Sequence, residues 1–219
     1  MPSASLIKEF EQLVGKENVF SSEADRQSYA YDAAVLKPMI PSLVVRPTEV
    51  EQLGQVVKRC YEEGIPMTVR GSGTNLTGGT IPDCSDTIVI LTTGLNKILE
   101  INTEDLYATV QPGVITAKFA AAVAAKGLFY PPDPGSMSVS TIGGNVAESS
   151  GGLRGLKYGT TKDYVMGLEF YDHTGELVKS GSRTVKCATG YNLGGLLVGS
   201  EGTLGMISRL HGTCTYPRR

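Results

Sequence analysis

The 219-residue sequence has little that points to a membrane or a nucleic acid. Its 20 Lys and Arg residues are balanced by 22 Asp and Glu residues, so a formal charge of −2 provides no basic field for a phosphate backbone. The longest apolar stretch, at residues 119–128, is broken by Lys126 and Gly127. It falls short of the ~20 apolar residues that cross a bilayer. The first residues do not follow the basic-then-apolar order of a secretion signal. We therefore expect a cytoplasmic protein with no membrane span and no nucleic-acid partner.

Cysteine and histidine are also scarce. The four cysteines form no Cys-x-x-Cys pair and are too few for a disulfide framework in a chain of this size; they are Cys60, Cys84, Cys187 and Cys214. We expect them to be reduced and mostly structural. The two histidines, His173 and His211, are isolated in the sequence. Isolated histidines are more often surface residues than metal ligands, so the sequence predicts no metal site.

Glycine, in contrast, is abundant and clustered. More than half of the 27 glycines lie in three windows, at residues 71–79, 143–159 and 194–205. Glycines let successive backbone N–H groups converge on one point, so that a loop can hold a phosphate without a formal charge. In the first window Leu76 stands where a dinucleotide-binding fingerprint requires glycine, and the Gly-Lys-Ser/Thr of a P-loop is absent. A glycine-rich hairpin connection is the alternative for that window alone, whereas three windows together favour one shared ligand site.

The apolar pattern predicts a mixed α/β chain. A helix is predicted behind Ser3 or Ser5, and a second helix opens with a capping box at Thr48 and Glu51 and runs to Gly64. Strands on either side of the second helix, at residues 42–46 and 65–70, complete a βαβ unit. Further predicted elements are strands at 87–91, 97–101 and 106–111, a helix at 116–126, a hairpin at 165–179, a helix at 193–198 and a last strand at 206–210. Residues 130–159 are predicted to be irregular apart from one helical turn at 145–149, and long irregular segments in compact domains are usually functional.

Three strings carry a resemblance to a known family: RGSGTNLTGG, PPDPGSMSVSTIGGNVAESSGGLRGLKYGTTKDYVMGLEF and TGYNLGGLLVGSEGTLGMI. The chain resembles the flavin-binding half of the FAD-linked oxidases of the vanillyl-alcohol-oxidase and p-cresol-methylhydroxylase type. Within that superfamily it is most similar to the branch of the glycolate oxidase D subunit and D-lactate dehydrogenase. The resemblance runs from about Leu6 to Ile207. It implies an α+β fold of the PCMH type, in which a small α/β lobe and a larger mixed-sheet lobe hold FAD between them.

The resemblance also implies domain boundaries and binding residues. Residues 1–38 are expected to form an N-terminal helical extension and residues 39–217 the FAD-binding domain, with a small lobe at about 39–100 and a larger lobe at about 101–210. The first glycine loop is expected to wrap the pyrophosphate, the second window to run beside the ribityl chain and flavin ring, and Ile207 to contact the adenine end through its backbone. The cofactor-binding residues implied in this way are Arg70, Gly71, Ser72, Gly73, Thr74, Asn75, Leu76, Pro134, Gly135, Ser136, Thr141, Gly143, Gly144, Asn145, Glu148, Gly151, Gly202 and Ile207.

Several features set this chain apart within the resemblance. Some members attach FAD covalently through a His in the first loop or a Cys in the second, but here no His precedes position 173 and no Cys lies between 84 and 187, so noncovalent FAD is expected. Asn75 replaces a common glycine, with a side chain able to adopt the left-handed conformation, and Asn192 replaces a common aspartate. After Ile207 the sequence departs from the alternating strand of the family, which favours a truncated product.

The resemblance implies an FAD-dependent oxidoreductase that oxidises a D-2-hydroxy acid of the glycolate or D-lactate type by hydride transfer to flavin N5. Related enzymes supply the substrate site from a further half, so the hydroxy acid is expected as a partner only where that half is present. No catalytic residue is assigned, and Glu148 and Glu201 are interpreted as hydrogen-bond anchors of glycine-rich turns. The alternatives are a non-catalytic FAD-binding accessory subunit beside an iron–sulfur or other redox subunit, a truncated product without activity alone, and a nucleotide-binding module without redox chemistry.

Overall fold

The computed structural model describes residues 3–216, which form two β-sheets with separate hydrophobic cores. The smaller sheet contains β1 (Val19–Phe20), β2 (Leu43–Val45), β3 (Met67–Arg70) and β4 (Ile88–Leu91). Its strand order is β1-β2-β4-β3, with β2, β4 and β3 parallel and β1 antiparallel to β2. The predicted βαβ unit is present, and β4 lies between its two strands.

Helices α1 (Ala4–Val14) and α3 (Val50–Glu62) belong to the smaller sheet's core, with the short α2 (Glu23–Gln27) between them in the chain. The apolar stripe of α3, which includes Leu53, Val56 and Val57, is fully buried. In α1, Phe10 is fully buried in the same core. Residues before position 39 therefore contribute a packed helix and the edge strand β1 to the small lobe.

The predicted capping box of α3 is wrong by one residue. The helix begins after Glu49, and the Gln52 side-chain oxygen accepts hydrogen bonds from the backbone N–H groups of Thr48 at 2.9 Å and Glu49 at 3.1 Å. Gln52 Nε2 also donates to the carbonyl oxygen of Leu13 at 3.0 Å. A glutamine supports this start because one side chain both caps α3 and ties it to the end of α1, which a glutamate cannot do.

The larger sheet is antiparallel and has five strands. They are β5 (Ile98–Asn102), β6 (Tyr107–Val110), β7 (Val165–Tyr171), β8 (Leu177–Gly181) and β9 (Met206–Thr213), in the order β5-β6-β9-β7-β8. One face packs on α4 (Thr116–Ala124) and α5 (Ile142–Ala147). The short helices α6 (Gly155–Tyr158) and α7 (Leu193–Leu197) complete this lobe.

The expectation that the sequence departs from a strand after Ile207 is wrong. Strand β9 continues to Thr213 and lies in the centre of the sheet, between β6 and β7. His211, expected at the surface, is only 8% exposed because it lies on this central strand, and its Nδ1 is hydrogen-bonded to Thr109 Oγ1 on β6 at 3.0 Å. Beyond the strand, the backbone of Thr215 pairs with that of Phe129. The last expected residue of the FAD-binding domain, Pro217, lies outside the described residues.

All four cysteines lie within residues 3–216, and none of them forms a disulfide bond there. Cys60 and Cys214 are buried, and burial raises the pKa of the Cys60 thiol to about 12 and that of Cys214 to about 11. Both thiols are therefore protonated core groups at neutral pH. Across residues 3–216, no helix combines the length and apolar character that a membrane span requires.

Candidate functional site

Residues from both lobes and from all three glycine windows line one cleft of about 290 Å³. This volume lies at the lower end of the ~300–1,000 Å³ typical of small-molecule sites. Fourteen of the eighteen residues expected to bind the cofactor line it: Gly71, Ser72, Gly73, Thr74, Asn75, Leu76, Ser136, Thr141, Gly143, Gly144, Asn145, Glu148, Gly202 and Ile207. The fold thus brings together Gly71 and Ile207, which are 136 positions apart in the sequence.

The first wall of the cleft is the loop that follows β3. Within residues 3–216, none of the six backbone N–H groups of residues 71–76 donates a hydrogen bond to a protein acceptor. The rule that backbone N–H groups have a protein partner applies to buried groups, whereas residues 71–75 are half-buried and Leu76 is exposed, so these six donors are open to a ligand or to solvent. Neighbouring N–H groups without partners form a concave donor set that suits the oxygens of a phosphate or diphosphate.

Arg70 supports this loop from behind and does not line the cleft. It is 7% exposed, and its Nη1 donates to the carbonyl oxygen of Tyr31 at 2.7 Å. Its guanidinium lies so close to Gly73 that a Cβ there would overlap it, and Gly73 has a φ of +67°, which glycine adopts without strain. Burial lowers the pKa of Arg70, while the charge of Asp32 raises it. Arg70 is thus a buried cation beneath the row of free N–H groups.

Asn75 is held by hydrogen bonds, and its backbone does not take up the left-handed conformation. Its Nδ2 donates to Asp32 Oδ2 at 2.7 Å and to Thr77 Oγ1 at 3.3 Å. Asp32 lies 43 positions earlier in the chain and was not expected from the sequence to contact this loop. No local pattern around Asp32 indicated this contact.

The second wall is built around the start of α5. Thr141 caps the helix by accepting a hydrogen bond from the Gly144 N–H at 3.3 Å, and the Gly143 N–H donates to the Pro112 carbonyl oxygen at 2.8 Å. A Cβ at position 143 would clash with Pro112, so glycine is needed there for close packing between two protein segments. Buried Asn145 donates from Nδ2 to Thr116 Oγ1 at 2.7 Å, which ties α5 to α4. The N–H groups of Gly143 and Gly144 are thus already used by the protein.

Arg70 and three other expected binding residues do not line the cleft: Pro134, Gly135 and Gly151. The carbonyl oxygen of Pro134 accepts a hydrogen bond from the Met137 N–H at 2.8 Å, so Pro134 and Gly135 form the turn that leads to the lining residue Ser136. Gly151 packs against the side chain of Thr160. These residues shape the segment around the cleft.

The third window is attached to the end of α5. The N–H groups of Gly199 and Glu201 donate to the carbonyl oxygens of Val146 and Ala147, each at 3.0 Å. Glu201 has a φ of +54°, an uncommon value for a residue other than glycine. Asn192 Oδ1 accepts from the Gly195 N–H at 2.8 Å and caps α7, so asparagine satisfies the start of that helix.

Twelve other residues that line the cleft were not among the expected cofactor-binding residues, although Glu201 was expected to anchor a turn. Most of them flank the glycine motifs or belong to strands, and only proximity to a motif could have indicated them; they are Val69, Thr77, Gly79, Thr80, Thr92, Pro112, Ser140, Ala147, Ser150, Ser200, Glu201 and Gly205. Thr92 and Pro112 carry no sequence signal, because they enter the cleft through the folding of strands β4 and β6.

One side of the cleft is acidic. Burial raises the pKa of Glu148, the charge of Glu201 raises it further, and the hydrogen bond from Thr77 Oγ1 lowers it. The Thr77 Oγ1 to Glu148 Oε1 distance is 3.4 Å. A carboxylate repels an anionic ligand, so the loop of free N–H groups is the better location for a diphosphate. In the described part of the chain, no three His, Cys, Asp or Glu side chains are grouped so that they could hold a metal ion.

Comparison with known proteins identifies relatives for almost the whole chain. A family model described as an FAD binding domain matches residues 41–181. The chain is 50% identical over 197 residues to the glycolate oxidase subunit GlcD of Bacillus subtilis (strain 168), covering 90% of this chain and 42% of that protein. It is 38% identical over 205 residues to a D-lactate dehydrogenase of Anaerostipes hadrus, covering 94% of this chain and 43% of that protein. The chain therefore spans well under half the length of these two relatives.

A solved structure of p-cresol methylhydroxylase with substrate bound matches the fold with a TM-score of 0.85. The sequence identity is 23%, and the match covers 98% of this chain and 44% of that one. At this identity the likeness concerns the fold alone. It confirms the predicted α+β fold of the PCMH type.

Proposed function

The chain belongs to the FAD binding domain family, and from this premise we propose that its cleft binds FAD noncovalently. In this proposal the loop of residues 71–76 holds the diphosphate, the second glycine window lies beside the flavin, and Ile207 lies at the adenine end. The observation that carries the proposal is the row of six N–H groups without protein partners, in a cleft built from all three glycine windows. Such donors complement phosphate oxygens without needing a cation in the cleft.

The noncovalent part of the proposal is supported by the residues that line the cleft. They include no histidine and no cysteine, which are the side chains that could form a covalent link to a flavin in this family. His211 and Cys214 lie in or beside β9, and His211 contacts Thr109 and Glu169. A flavin in the cleft would therefore be held by hydrogen bonds and packing alone.

We further propose that the chain serves an FAD-dependent oxidation of a D-2-hydroxy acid of the glycolate or D-lactate type. The printed names of its relatives support this class of reaction. Bound FAD supplies the hydride acceptor, at N5 of its flavin ring. The residues of this chain position the cofactor: the first loop binds the diphosphate, while the hydrogen bond that Thr141 Oγ1 accepts and the one that Asn145 Nδ2 donates fix the second wall. No base is assigned among them.

One observation favours a partner subunit. The relative that is 50% identical is named as a subunit of glycolate oxidase. A non-catalytic role as the FAD-binding subunit of an oxidase complex, beside an iron–sulfur or other redox subunit, is therefore the second candidate. The cytoplasmic location remains an expectation from the sequence.

Titration of the 219-residue chain with FAD, ADP, FMN and NAD⁺ tests the binding proposal. We expect FAD to bind and ADP to compete with it, because both carry a diphosphate, whereas FMN should bind more weakly. A preference for NAD⁺ over FAD would instead favour a nucleotide-binding module without flavin chemistry.

The FAD-loaded chain can then be mixed anaerobically with D-lactate, glycolate or, as a control, L-lactate. Loss of the visible flavin absorption with a D-2-hydroxy acid, but not with L-lactate, would support the oxidoreductase. A chain that binds FAD but is not reduced by any of these acids would show that these residues bind the cofactor without a complete substrate site, as expected both for the accessory subunit and for a chain without the further half of its relatives.

A further inference from the structure

A buried carboxylate lies beneath the first glycine loop, outside the segment that the family model matches. Asp32 is 9% exposed and precedes the matched residues 41–181. Its Oδ2 accepts hydrogen bonds from Asn75 Nδ2 at 2.7 Å and from Thr80 Oγ1 at 3.3 Å, and its Oδ1 accepts from the Ala34 N–H at 2.8 Å. Both oxygens are therefore engaged, as a buried carboxylate requires.

The network around Asp32 reaches the start, the middle and the end of the loop. Arg70 is the last residue of β3 before the loop, Asn75 is in its middle, and Thr80 is near its end. Thr80 Oγ1 lies 3.2 Å from Asn75 Oδ1 and accepts a hydrogen bond from Arg70 Nη1 at 3.4 Å. The charge of Asp32 also favours the protonated form of Arg70. One carboxylate thus connects three points of a single loop.

The loop has little else to fix its shape. Among the described residues, the N–H groups of residues 71–76 form no bonds within the protein. The other hydrogen-bonded anchors are local bonds at residues 75–81, the bond from Ser72 Oγ to the Val139 carbonyl oxygen at 2.5 Å and the bond from Thr77 Oγ1 to Glu148 Oε1 at 3.4 Å. If those N–H groups are to stay free for a ligand, side chains must hold the backbone in place.

We propose that Asp32 is a positioning residue, which holds the loop of residues 70–80 in the conformation that presents its free N–H groups to a diphosphate. The inference rests on the proposed function, because it assigns a purpose to the loop that the proposal places at the diphosphate of FAD. Asp32 does not line the cleft and acts through Asn75 and Thr80, and through Thr80 and its charge on Arg70.

Two variants separate the hydrogen bonds of Asp32 from its charge. Asp32→Ala removes both. Asp32→Asn removes the charge but retains one acceptor and gains an N–H₂ group that can donate to Asn75 Oδ1 or Thr80 Oγ1. The matched control is Asp172→Ala, because Asp172 Oδ1 also organises a turn, accepting from the Thr174 N–H at 2.8 Å and the Glu176 N–H at 3.1 Å, in a turn that does not line the cleft.

The first measurement uses the chain without FAD. Backbone amide ¹⁵N relaxation gives order parameters for residues 71–76, and we expect values of about 0.85 in the wild type and below about 0.6 in Asp32→Ala. Asp32→Asn should remain close to the wild type, and Asp172→Ala should leave these residues unchanged. Wild-type order parameters in Asp32→Ala would overturn the proposal, whether or not the chain binds FAD.

The second measurement is the affinity for FAD and for ADP. We expect Asp32→Ala to weaken both about tenfold and Asp32→Asn about threefold, since the hydrogen bonds involve a charged acceptor. The double variant with Asp32→Ala and Asn75→Ala should lose no more FAD affinity than the more weakly binding of the two single variants. Both substitutions remove the same contact, so their effects should not add. Equal FAD affinity in the wild type and Asp32→Ala would overturn the inference and leave the proposed function intact. A wild-type chain that binds no FAD would overturn the proposed function, and the order parameters would then decide the inference alone.

Discussion

The hydroxyl group of Thr141 lies so close to Gly71 that a Cβ at position 71 would overlap it. Thr141 also caps α5 by accepting a hydrogen bond from the Gly144 N–H at 3.3 Å. The loop after β3 and the start of α5 therefore meet at this pair of residues. The shape of the cleft depends on the absence of a side chain at position 71.

Gly71→Ala should weaken FAD binding and lower the free energy of unfolding, by about 1–3 kcal/mol as is typical of overpacked sites. Thr141→Ala in the same chain should restore much of the FAD affinity, because it removes the overlapping Oγ1 and leaves Cβ at 3.5 Å from the new methyl group. Thr141→Ala alone should cost about 1 kcal/mol through the loss of the helix cap. Denaturant unfolding gives the free energy of unfolding, and FAD titration gives the affinity. Both are measured for the wild type, the two single variants and the double variant.

Gly155→Ala is the control for this cycle, since no atom lies within 4 Å of a Cβ at position 155 and its φ is not positive. We expect it to leave the FAD affinity unchanged. If the losses of FAD affinity from Gly71→Ala and Thr141→Ala simply add in the double variant, the contact between the two glycine windows does not determine how well the cleft binds FAD.

Glu148→Gln should make FAD binding less sensitive to pH. Burial raises the pKa of Glu148, with a further rise from the charge of Glu201, so the protonated form is favoured in the folded protein. A group of this kind contributes stability below its unfolded pKa of about 4.3 and loses that contribution as pH rises through its folded pKa. At neutral pH the ionised carboxylate also repels a diphosphate in the cleft.

We therefore expect Glu148→Gln to bind FAD more tightly than the wild type at pH 7, with the difference shrinking as pH falls through the raised pKa of Glu148 in the folded protein. The glutamine keeps an acceptor for the Thr77 hydroxyl. Glu104→Gln, at an exposed turn between β5 and β6, serves as the control and should change neither affinity nor its pH dependence. Parallel pH profiles for the wild type and Glu148→Gln would contradict this account.

His211 should make the fold sensitive to acid. Burial lowers the pKa of His211, and the charges of Arg183 and Arg209 lower it further. The charges of Glu169 and Glu100 raise it, but the net change is a lowered pKa. A group with a depressed pKa contributes its full stability above the unfolded value, about 6.5 for histidine, and loses it as pH falls through the folded pKa. The free energy of unfolding should therefore decline below about pH 6.5.

His211→Gln should flatten this decline, although it lowers stability at neutral pH by disturbing the bond with Thr109 Oγ1. The matched control is His173→Gln, because His173 lies exposed in the turn between β7 and β8, where its ring forms a T-shaped contact with Tyr61. Its pH profile should follow the wild type. A decline of equal slope in His211→Gln would show that other groups cause the acid sensitivity.

The elements and the glycine windows could be predicted because their signals are local. The apolar stripe of α3 and the strands beside it follow from residue spacing, and the glycines mark the loops that meet in the cleft. Contacts between distant residues carried no such signal. Asp32 bonds to Asn75 across 43 positions, and Gly143 packs on Pro112 from a different segment.

Strand β9 was predicted too short for a related reason. Its polar residues interrupt an alternating apolar pattern, but they find partners on neighbouring strands once the sheet has formed. Arg209 Nη1 lies 3.1 Å from Glu169 Oε2 on β7, and His211 bonds to Thr109 on β6. Sequence periodicity alone does not identify such cross-strand pairs.

The visible absorption spectrum of the purified protein, followed by acid precipitation, tests the central claim most directly. We predict a yellow protein, or one that becomes yellow when FAD is added, whose chromophore is released into the acid supernatant with the mass of FAD. A protein that stays colourless and binds no added FAD, or a flavin that remains attached to the precipitate, would contradict noncovalent FAD binding in the cleft.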